Sequence, residues 1–326
     1  MPDAVLPILK QWDARFGGLP SGPFDSCRVF HGRGGCYSGL EWCNLDVHWP
    51  AVLVIFFREP SREPSPGFSA ALQEALLPRM ERLGLSVLLF QNRYQDGAPY
   101  AIGAGELPGL LVARRNQLRF QLSLQQQNPG FFLDMEPGRQ WLESHCAGKR
   151  VLNLFAYTCA FSVVAQAAGA NQVVNVDMSS RSLSIGRENH RRNGQSTDNI
   201  LFLAEDILKS WSRIRRRGPF DVILLDPPSF QKGSFVATRD YAKVLRRIAE
   251  LASPGAHVLV CLNAPELDED FLRQLVTDNS PGCVFEKRLA AHPDFPDIDP
   301  GRQLKLLVYR YTGADSSVLT DNRVIT

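Results

Sequence analysis

Hydrophobic and polar positions follow different patterns on the two sides of residue 124. Before it, short apolar runs predict strands, and apolar residues at helical spacing over 68–83 predict a helix that packs against them. After it, and from Arg150 onwards, apolar runs rich in Val, Ile and Leu alternate regularly with helix-like segments. Such alternation predicts a parallel sheet covered by helices on both faces. The chain should therefore contain a small α+β domain followed by a larger α/β domain.

The first region opens with a predicted helix and loop over residues 1–23, and a small α+β domain follows over residues 24–124. Alternation of Leu118, Phe120 and Leu122 with polar residues predicts a hairpin that turns at residues 115–117. The other predicted strands are Cys27–Phe30, Trp42–Val47, Val52–Phe57 and Val87–Phe90.

The second region, residues 125–313, is predicted to be a Rossmann-like domain, and residues 314–326 form a polar tail. Its sheet should be mostly parallel and should end in an antiparallel hairpin. The predicted strands are Val151–Phe155, Gln172–Val176, Ile200–Leu203, Asp221–Leu225 and His257–Leu262, with a hairpin of Cys283–Leu289 and Leu304–Tyr311. The predicted helices are Phe161–Ala168, Ser180–Arg192, Ile207–Arg215, Tyr241–Leu251 and Asp268–Asp278.

Length and composition agree with two domains and exclude several classes of protein. A chain of 326 residues exceeds the roughly 250–300 residues at which one core stops growing. The longest apolar run, Ala51–Phe57, is far shorter than the about 20 residues of a membrane helix. Seven scattered cysteines without a CxxC pattern indicate a reduced compartment. We therefore expect a cytoplasmic protein that is not membrane-bound.

The charged residues give a weaker indication of partners. Net charge is +2, but arginine outnumbers lysine 29 to 7, and guanidinium groups pair with phosphates and stack on bases. A GC-rich genome would produce the same bias, so both explanations stay open. No metal site is predicted, because the candidate ligands of the first domain are irregularly spaced. They are His31, Cys36, Cys43 and His48.

The most informative residues follow the predicted parallel strands, because ligands bind beyond the carboxyl ends of such strands. The loop after the first strand lacks the GxGxxG pattern, which argues against a dinucleotide cofactor. Asp177 ends the second strand and is placed to accept both hydroxyls of a ribose. Asp206 follows the third strand and could accept an adenine amino hydrogen. Both acids could instead cap the helices that follow them, with Ser179 or Ser180 as the alternative cap at Asp177.

The sequence Asp226-Pro-Pro-Ser-Phe230 follows the fourth strand and is the most specific motif. Its two prolines remove two backbone donors and hold the chain extended, so that the neighbouring carbonyls face outward. With an acid at one end and an aromatic ring at the other, the motif predicts a slot for a planar base or an amide.

Together, residues 153–162, Val176-Asp-Met178, Asp206 and Asp226–Phe230 resemble the class I S-adenosylmethionine-dependent methyltransferases. More narrowly, they are similar to the bacterial large-subunit rRNA methyltransferase family, whose members include a cytosine-C5 and a guanine-N7 enzyme. Residues 128–134 with Arg139 resemble the segment that leads into that family's catalytic domain. The resemblance covers residues 125–313 strongly, and residues 24–124 resemble the family's central α/β domain more loosely.

The resemblance implies S-adenosylmethionine as the cofactor, RNA as the partner, and a set of site residues for each. The implied cofactor-binding residues are Phe132, Asp134, Arg139, Asn153, Phe155, Ala156, Tyr157, Thr158, Asp177, Met178, Ser179, Asp206, Ile207 and Asp226. The implied catalytic residues, which hold the target base, are Asp226, Pro227, Pro228, Phe230 and Asn263.

The sequence departs from the family pattern at three places. Cys159 stands where the family usually has Gly, and Glu136 stands where the lead-in segment often has its first Arg. The third is the nucleophile that cytosine-C5 methylation requires at carbon 6. Asn263 occupies the position where the cytosine enzymes carry that cysteine, and Cys261 lies two residues earlier. Because a nitrogen acceptor needs positioning and no covalent activation, the sequence favours nitrogen methylation.

Two other functions remain open at this point. A non-catalytic RNA-binding or assembly factor could retain the cofactor site, and the departures at Cys159 and Glu136 favour it. A protein or small-molecule N-methyltransferase could use the same Pro-Pro-aromatic slot to hold an amide. The retained acids and the complete Asp226–Phe230 motif favour the RNA methyltransferase over the non-catalytic factor.

Overall fold

A computed structural model describes residues 3–59, 67–124, 128–228, 230–231 and 235–313. Ser229 and the side chain of Phe230, both in the predicted base slot, and the predicted tail over 314–326 lie outside the described residues. The chain divides into two compact units. Unit 1 comprises Met1–Asp134 with His292–Pro300, and unit 2 comprises Met135–Ala291 with Gly301–Thr326.

Unit 1 is larger than the predicted domain over 24–124. It also includes the leading helix, the chain through Asp134, and His292–Pro300 from the distant C-terminal hairpin. The last segment is tied in by a backbone bond from Ile298 N to Gly34 O of 2.9 Å and by the Arg28 guanidinium, 4.5 Å from the Phe295 ring centroid. Contacts between residues so far apart in the chain leave no trace in local patterning.

Unit 1 contains a five-stranded mixed sheet in the order β1-β2-β3-β4-β5, in which only β3 and β4 pair in parallel. Its helices share a core with alternate residues of the strands, including Trp12, Leu72 and Val54. The elements are α1 (Leu6–Phe16), β1 (Cys27–His31), β2 (Cys43–His48), β3 (Ala51–Phe56), α2 (Phe68–Leu83), β4 (Val87–Asn92) and β5 (Tyr100–Ala104), with a separate hairpin of β6 (Val112–Arg115) and β7 (Leu118–Gln121).

Unit 2 contains a seven-stranded sheet and the other α-helices and strands of the described residues. Its strands are β8 (Arg150–Leu154), β9 (Gln172–Asp177), β10 (Ile200–Ala204), β11 (Phe220–Leu225), β14 (Ala252–Leu262), β15 (Cys283–Arg288) and β16 (Lys305–Tyr311), with a small separate pair of β12 (Phe230–Gln231) and β13 (Phe235–Val236). Its helices are α3 (Glu136–Glu143), α4 (Ala160–Ala167), α5 (Ser180–Arg192), α6 (Trp211–Arg215), α7 (Ala237–Leu245), α8 (Ile248–Leu251) and α9 (Glu269–Asn279).

The strand order in unit 2 is β10-β9-β8-β11-β14-β16-β15. The first five strands pair in parallel, and β16 pairs antiparallel with both of its neighbours. The predicted Rossmann-like sheet with an antiparallel C-terminal hairpin is therefore confirmed. Because the order reverses between β8 and β11, these two strands define the switch point at which such folds bind ligands.

Several element predictions need correction. Residues 207–215 form a 3-10 turn and then α6, because Ser210 between them has φ −116° and is not helical. The predicted helix over 241–251 is split into α7 and α8. Helix α3 was not predicted because Pro137 and Gly138 are helix breakers, yet Pro137 lies in the first turn, where a missing N–H is tolerated. Strand β5 was also missed, since its exposed middle residues do not alternate.

No helix within the described part of the chain is long and apolar enough to cross a membrane.

Candidate cofactor and acceptor site

The carboxyl ends of the central strands of unit 2 meet at one edge of the sheet. Leu154 pairs with Val176 of β9 on one side and with Leu225 of β11 on the other. The next residues, Phe155, Asp177 and Asp226, therefore lie in a row along this edge. We call the ends of β8 and β9 the cofactor half of the edge, and the ends of β11 and β14 the acceptor half.

The loop over residues 155–159, which we call the β8 loop, has an unusual backbone. Phe155, Tyr157 and Cys159 have φ values of 60°, 47° and 60°, in the left-handed region that residues other than glycine seldom adopt. Strained backbone of this kind persists where the surroundings fix it, and it concentrates at binding and catalytic sites. The loop is fixed to β9 at Ala156, whose N–H donates to Val176 O at 3.1 Å.

Asp177 joins the β8 loop to the start of α5. Its Oδ2 accepts the Tyr157 N–H at 2.8 Å, and its Oδ1 accepts the Ser179 N–H at 2.8 Å. Ser179, and not Asp177, caps α5, because the Ser179 Oγ accepts the Ser182 N–H at 3.1 Å. Burial raises the pKa of Asp177, and the two backbone N–H groups oppose this rise.

The remaining capacity of Asp177 fits a ribose. Each carboxylate oxygen can accept a second hydrogen bond, and the residue is half-buried at the open end of β9. The neighbouring Met178 leaves 49% of its surface exposed, an apolar and polarisable surface next to that acid. These residues suit the ribose and adenine of S-adenosylmethionine.

Asp206 is more fully engaged in local structure than Asp177. Its Oδ1 accepts the Leu208 N–H at 3.0 Å and caps the 3-10 turn, and its Oδ2 lies 2.9 Å from the Lys209 Nζ. Ile207 is buried in the hydrophobic core. Asp206 thus has the capping role that the sequence left open. A contact of Asp206 or Ile207 with adenine stays a prediction.

A chain of buried side chains connects the strands and helices behind the β8 loop. The Asn153 amide donates to Asn175 Oδ1 and the Asn175 amide donates to Ser162 Oγ, both at 2.9 Å. Ser162 Oγ lies 2.9 Å from His190 Nε2, and His190 Nδ1 lies 2.7 Å from Gln195 Oε1. Each of these four hydrogen bonds has one donor and one acceptor when Ser162 donates to His190 and His190 donates to Gln195.

This polar chain requires a neutral imidazole, because Nε2 must accept. Burial lowers the pKa of His190 to about 4, so the ring is neutral at pH 7. The predicted cofactor residue Asn153 is only 1% exposed, and its side-chain amide makes the first hydrogen bond of this polar network. The hydrogen bond from Asn153 to Asn175 therefore links β8 to β9. A contact of Asn153 with the cofactor stays a prediction.

The acceptor half is supported by a buried tyrosine. The Tyr241 hydroxyl lies 2.9 Å from Cys261 O, near the end of β14, and 3.3 Å from Leu225 O, at the end of β11. Asp226 and Pro228 are half-buried directly after Leu225, and Pro227 is buried. Tyr241 thereby fixes the strand ends from which the predicted base slot begins.

Asn263 is exposed at the end of β14. The carbonyl of the next residue, Ala264, accepts a hydrogen bond from Lys305 Nζ at 2.8 Å, and this lysine is fully buried. Asn263 therefore follows a strand end held by hydrogen bonds from other elements, and a contact of its exposed side chain with the target base stays a prediction.

Cys261 is poorly suited to be a nucleophile. Its thiol is fully buried in β14, and burial raises its pKa well above the usual value, with the charge of Asp226 adding to the rise. The nucleophile of cytosine-C5 methylation must be an accessible thiolate. Cys159 is likewise fully buried, and its pKa is raised by burial.

The lead-in residues are divided between the two units. Phe132 and Asp134 are half-buried in unit 1. Arg139 is buried in unit 2, where its Nε donates to Glu136 Oε2 at 3.0 Å. Glu136, which departs from the family pattern, thus pairs with the predicted cofactor residue Arg139. The cofactor roles of all three predicted residues stay predictions.

Sequence reasoning missed the supporting residues Tyr241, Asn175, Ser162 and His190. A polar Asn175 in the middle of the apolar strand QVVNVD was the one signal that could have found this support. In the described parts of both units, no group of His, Cys, Asp and Glu side chains could hold a metal ion.

The fold is of the kind that binds cofactors with a nucleoside part: the sheet is parallel, it has a switch point, and an acid ends β9. The loop after β8 lacks the GxGxxG pattern of dinucleotide-binding proteins. The sequence model described as S-adenosylmethionine-dependent methyltransferase matches residues 27–310. The chain belongs to this family. The predicted membership of the S-adenosylmethionine-dependent methyltransferases is thereby confirmed.

Curated relatives are similar over part of their length. Ribosomal RNA large subunit methyltransferase I of Aeromonas hydrophila is 37% identical over 46% of this chain and 38% of its own. The protein of the same name from Cronobacter sakazakii is 28% identical over 91% of this chain and 76% of its own. The chain therefore matches less than two thirds of the length of the first of these relatives.

The fold is shared with solved structures of low sequence identity. One, described as a putative methyltransferase in complex with SAH, has a TM-score of 0.78 and is 22% identical in sequence to this protein. The match covers 94% of this chain and 81% of the other chain.

Proposed function

We propose that this protein transfers the methyl group of S-adenosylmethionine to a nitrogen of an RNA base, and that this RNA is rRNA. The cofactor part of this proposal is supported most directly by the hydrogen bond between Asp177 and the left-handed β8 loop at the switch point of the sheet. Such a protein would act in the cytoplasm, where rRNA is modified in bacteria.

The cofactor half would bind S-adenosylmethionine. Asp177 would accept the ribose hydroxyls, Met178 would pack on the adenine, and the β8 loop would border the methionine part. When bound, the cofactor supplies a sulfonium methyl group that is already activated for attack. The role of the protein is to hold the acceptor nitrogen in line with that methyl group.

The acceptor half would orient the base. Asp226 can accept a hydrogen bond from an amino or ring N–H, and Asn263 can donate or accept. Asp226 and Asn263 would hold the acceptor nitrogen with its lone pair towards the methyl group, and the cofactor would supply that methyl group and keep the electrons of the S–C bond that breaks. Because Cys261 is buried and protonated, this half offers no thiolate that could add to carbon 6 of cytosine.

The RNA substrate is supported by the relatives, which are named as rRNA methyltransferases, and by unit 1. We propose that unit 1, which contains the predicted substrate domain over 24–124, contacts the RNA. The exposed Arg33 guanidinium lies 4.4 Å from the Phe57 ring centroid, and Arg93 lies 5.9 Å from it. Guanidinium groups around an aromatic ring suit phosphate and stacked bases together.

The cofactor assignment is tested by thermal unfolding with S-adenosylmethionine and with NAD. We expect a concentration-dependent rise in the melting temperature with the first alone. Stabilisation by NAD alone would overturn the assignment.

The reaction is tested by mass spectrometry of rRNA nucleosides from wild-type and deletion strains. We expect one N-methylated nucleoside to disappear on deletion and to return when the purified protein methylates the deletion-strain rRNA. Tight cofactor binding without methyl transfer to this rRNA would favour the non-catalytic factor, and transfer to protein alone would favour the amide-methylating alternative.

The target atom is tested with Cys261→Ser, which should retain most of the transfer rate because no covalent step is needed. RNA that contains 5-fluorocytosine should not trap the protein. A dead Cys261→Ser variant together with a trapped wild type would instead show a covalent cytosine adduct, because fluorine at carbon 5 cannot leave as a proton does.

A further inference from the structure

A left-handed cysteine and a buried glycine lie against each other behind the β8 loop. Cys159, the N-cap residue before α4, has φ 60° and is fully buried, and Gly186 lies on the buried face of α5. A Cβ at position 186 would lie 2.5 Å from the Cys159 Sγ and 2.9 Å from its Cβ. Non-bonded atoms pack at roughly 3.5–4.0 Å. The Cys159 side chain thus occupies the space that a side chain at 186 would need.

The same face of α5 holds the β8 loop by other contacts. Asn189, one turn after Gly186, donates from its amide to Thr158 O at 3.0 Å. Leu183, one turn before Gly186, packs with Ala156 and Cys159. Residues three apart on a helix share a face, so that Leu183, Gly186 and Asn189 form one surface on which the loop rests.

The position of Cys159 bears directly on Asp177. Cys159 is two residues from Tyr157, whose N–H meets the Asp177 carboxylate at 2.8 Å. A methyl group at 186 would push Cys159 away by about 1 Å to restore a normal contact. That displacement would strain the Thr158 bond to Asn189 and move the Tyr157 N–H away from the carboxylate.

We propose that Gly186 is a positioning residue for the cofactor: its missing side chain receives Cys159 and thereby sets the β8 loop against Asp177. This proposal rests on the assignment of that loop to S-adenosylmethionine. It also explains how the Cys159 side chain is accommodated at a position where the family resemblance implies glycine. The cysteine side chain points into α5, so that it does not occupy the open edge of the sheet.

The test is a double-mutant cycle on Cys159 and Gly186, with S-adenosylmethionine affinity measured by calorimetry and folding by thermal unfolding. Gly186→Ala should weaken cofactor binding at least tenfold, although alanine favours a helix more than glycine does. Cys159→Gly should weaken cofactor binding less than Gly186→Ala does, because it leaves a gap but no clash and glycine adopts the left-handed region readily. The double variant should recover to within threefold, since both clashing atoms are gone.

Kinetics with deletion-strain rRNA separate positioning from stability. In Gly186→Ala, the KM for S-adenosylmethionine should rise while kcat stays within threefold. A residue that is only structural would lower the melting temperature and leave the affinity of the folded protein unchanged. Ser184→Ala, on the exposed face of the same helix, is the matched control and should behave as wild type.

The outcomes distinguish this proposal from the assignment on which it rests. If wild type binds no S-adenosylmethionine, both fail. If wild type binds but Gly186→Ala binds equally well, or the double variant does not recover, the positioning role alone is wrong. If Gly186→Ala does not fold, recovery of folding and binding in the double variant still supports the role, and failure of the double variant overturns it.

Discussion

The two halves of the sheet edge in unit 2 are built in different ways. In the cofactor half, backbone geometry shapes the site: three left-handed residues present an N–H to Asp177, and a polar chain that ends at His190 and Gln195 lies behind them. In the acceptor half, long side chains from other elements hold the strand ends. Tyr241 reaches the carbonyls of Leu225, the last residue of β11, and of Cys261, the second-last residue of β14, and Lys305 reaches Ala264.

This difference matches the two tasks that we propose. A cofactor that is the same in every turnover suits a loop whose backbone is fixed from behind at many points. An acceptor base must enter and leave, and a site of few exposed side chains on fixed strand ends suits that exchange. Changes in the cofactor half should therefore affect affinity for S-adenosylmethionine, and changes in the acceptor half should affect the rate of transfer.

The largest effect is expected in the acceptor half. Asp226→Ala should lower the rate of methyl transfer to rRNA on the order of 100-fold, because a positioned contact with the base is lost. Calorimetry should show S-adenosylmethionine still bound. If the variant instead lost the cofactor and kept its rate at saturating cofactor, Asp226 would belong to the cofactor half.

Asp177→Ala should weaken S-adenosylmethionine binding roughly 10- to 100-fold, since bonds from two ribose hydroxyls to a charged group are worth about 1.5–3 kcal/mol. The maximal transfer rate at saturating cofactor should change much less. Equilibrium binding and kcat measured on the same preparation check both statements. An unchanged affinity would mean that Asp177 only holds the β8 loop to α5.

The support behind the cofactor half should depend on pH through His190. Its pKa is about 4 in the folded protein against 6.5 for the free side chain, so the unfolded chain binds the proton first as pH falls. The stabilisation is complete above pH 6.5 and is lost as pH falls towards 4. Proton linkage predicts that the contribution of His190 to the free energy of unfolding falls by about 2 kcal/mol between pH 7 and pH 5.

Chemical denaturation of unit 2 signals in wild type and His190→Gln checks this prediction. The variant should lack the part of the pH dependence that His190 provides, while the other histidines contribute equally to both proteins. Titration of the ring by NMR gives the pKa directly. A His190 pKa near 6.5 would show that the imidazole can be charged and that the polar chain is not continuous.

The smallest effect is expected from Asp206→Ala, at the margin of the cofactor half. Because the Asp206 carboxylate already binds the Leu208 N–H and Lys209, its bond to an adenine amino group should be worth about 1.5 kcal/mol, the lower end for a charged acceptor, so affinity should fall about tenfold. Loss of the cap should lower the free energy of unfolding by about 1 kcal/mol. A loss of affinity as large as that of Asp177→Ala would make the two acids equivalent.

The sequence determined the Rossmann-like fold, its antiparallel hairpin and the row of acids at the strand ends. These features are local: periodicity marks each element, and the parallel order brings the ends of neighbouring strands to one edge. Asp177 and Asp226 could be found in this way because each directly follows a predicted strand. The family motifs then supplied the cofactor, which chemistry at the strand ends alone left open.

Only the tertiary structure decided how these residues are held. That Ser179 caps α5 while Asp177 bonds the β8 loop depends on the distance between two loops 20 residues apart. Gly186 lies 27 residues from Cys159 in the sequence, and neither residue by itself predicts their contact. Local patterning records which face of an element is apolar, but it does not record which distant side chain fills a given space, because that is set by packing after the chain has folded.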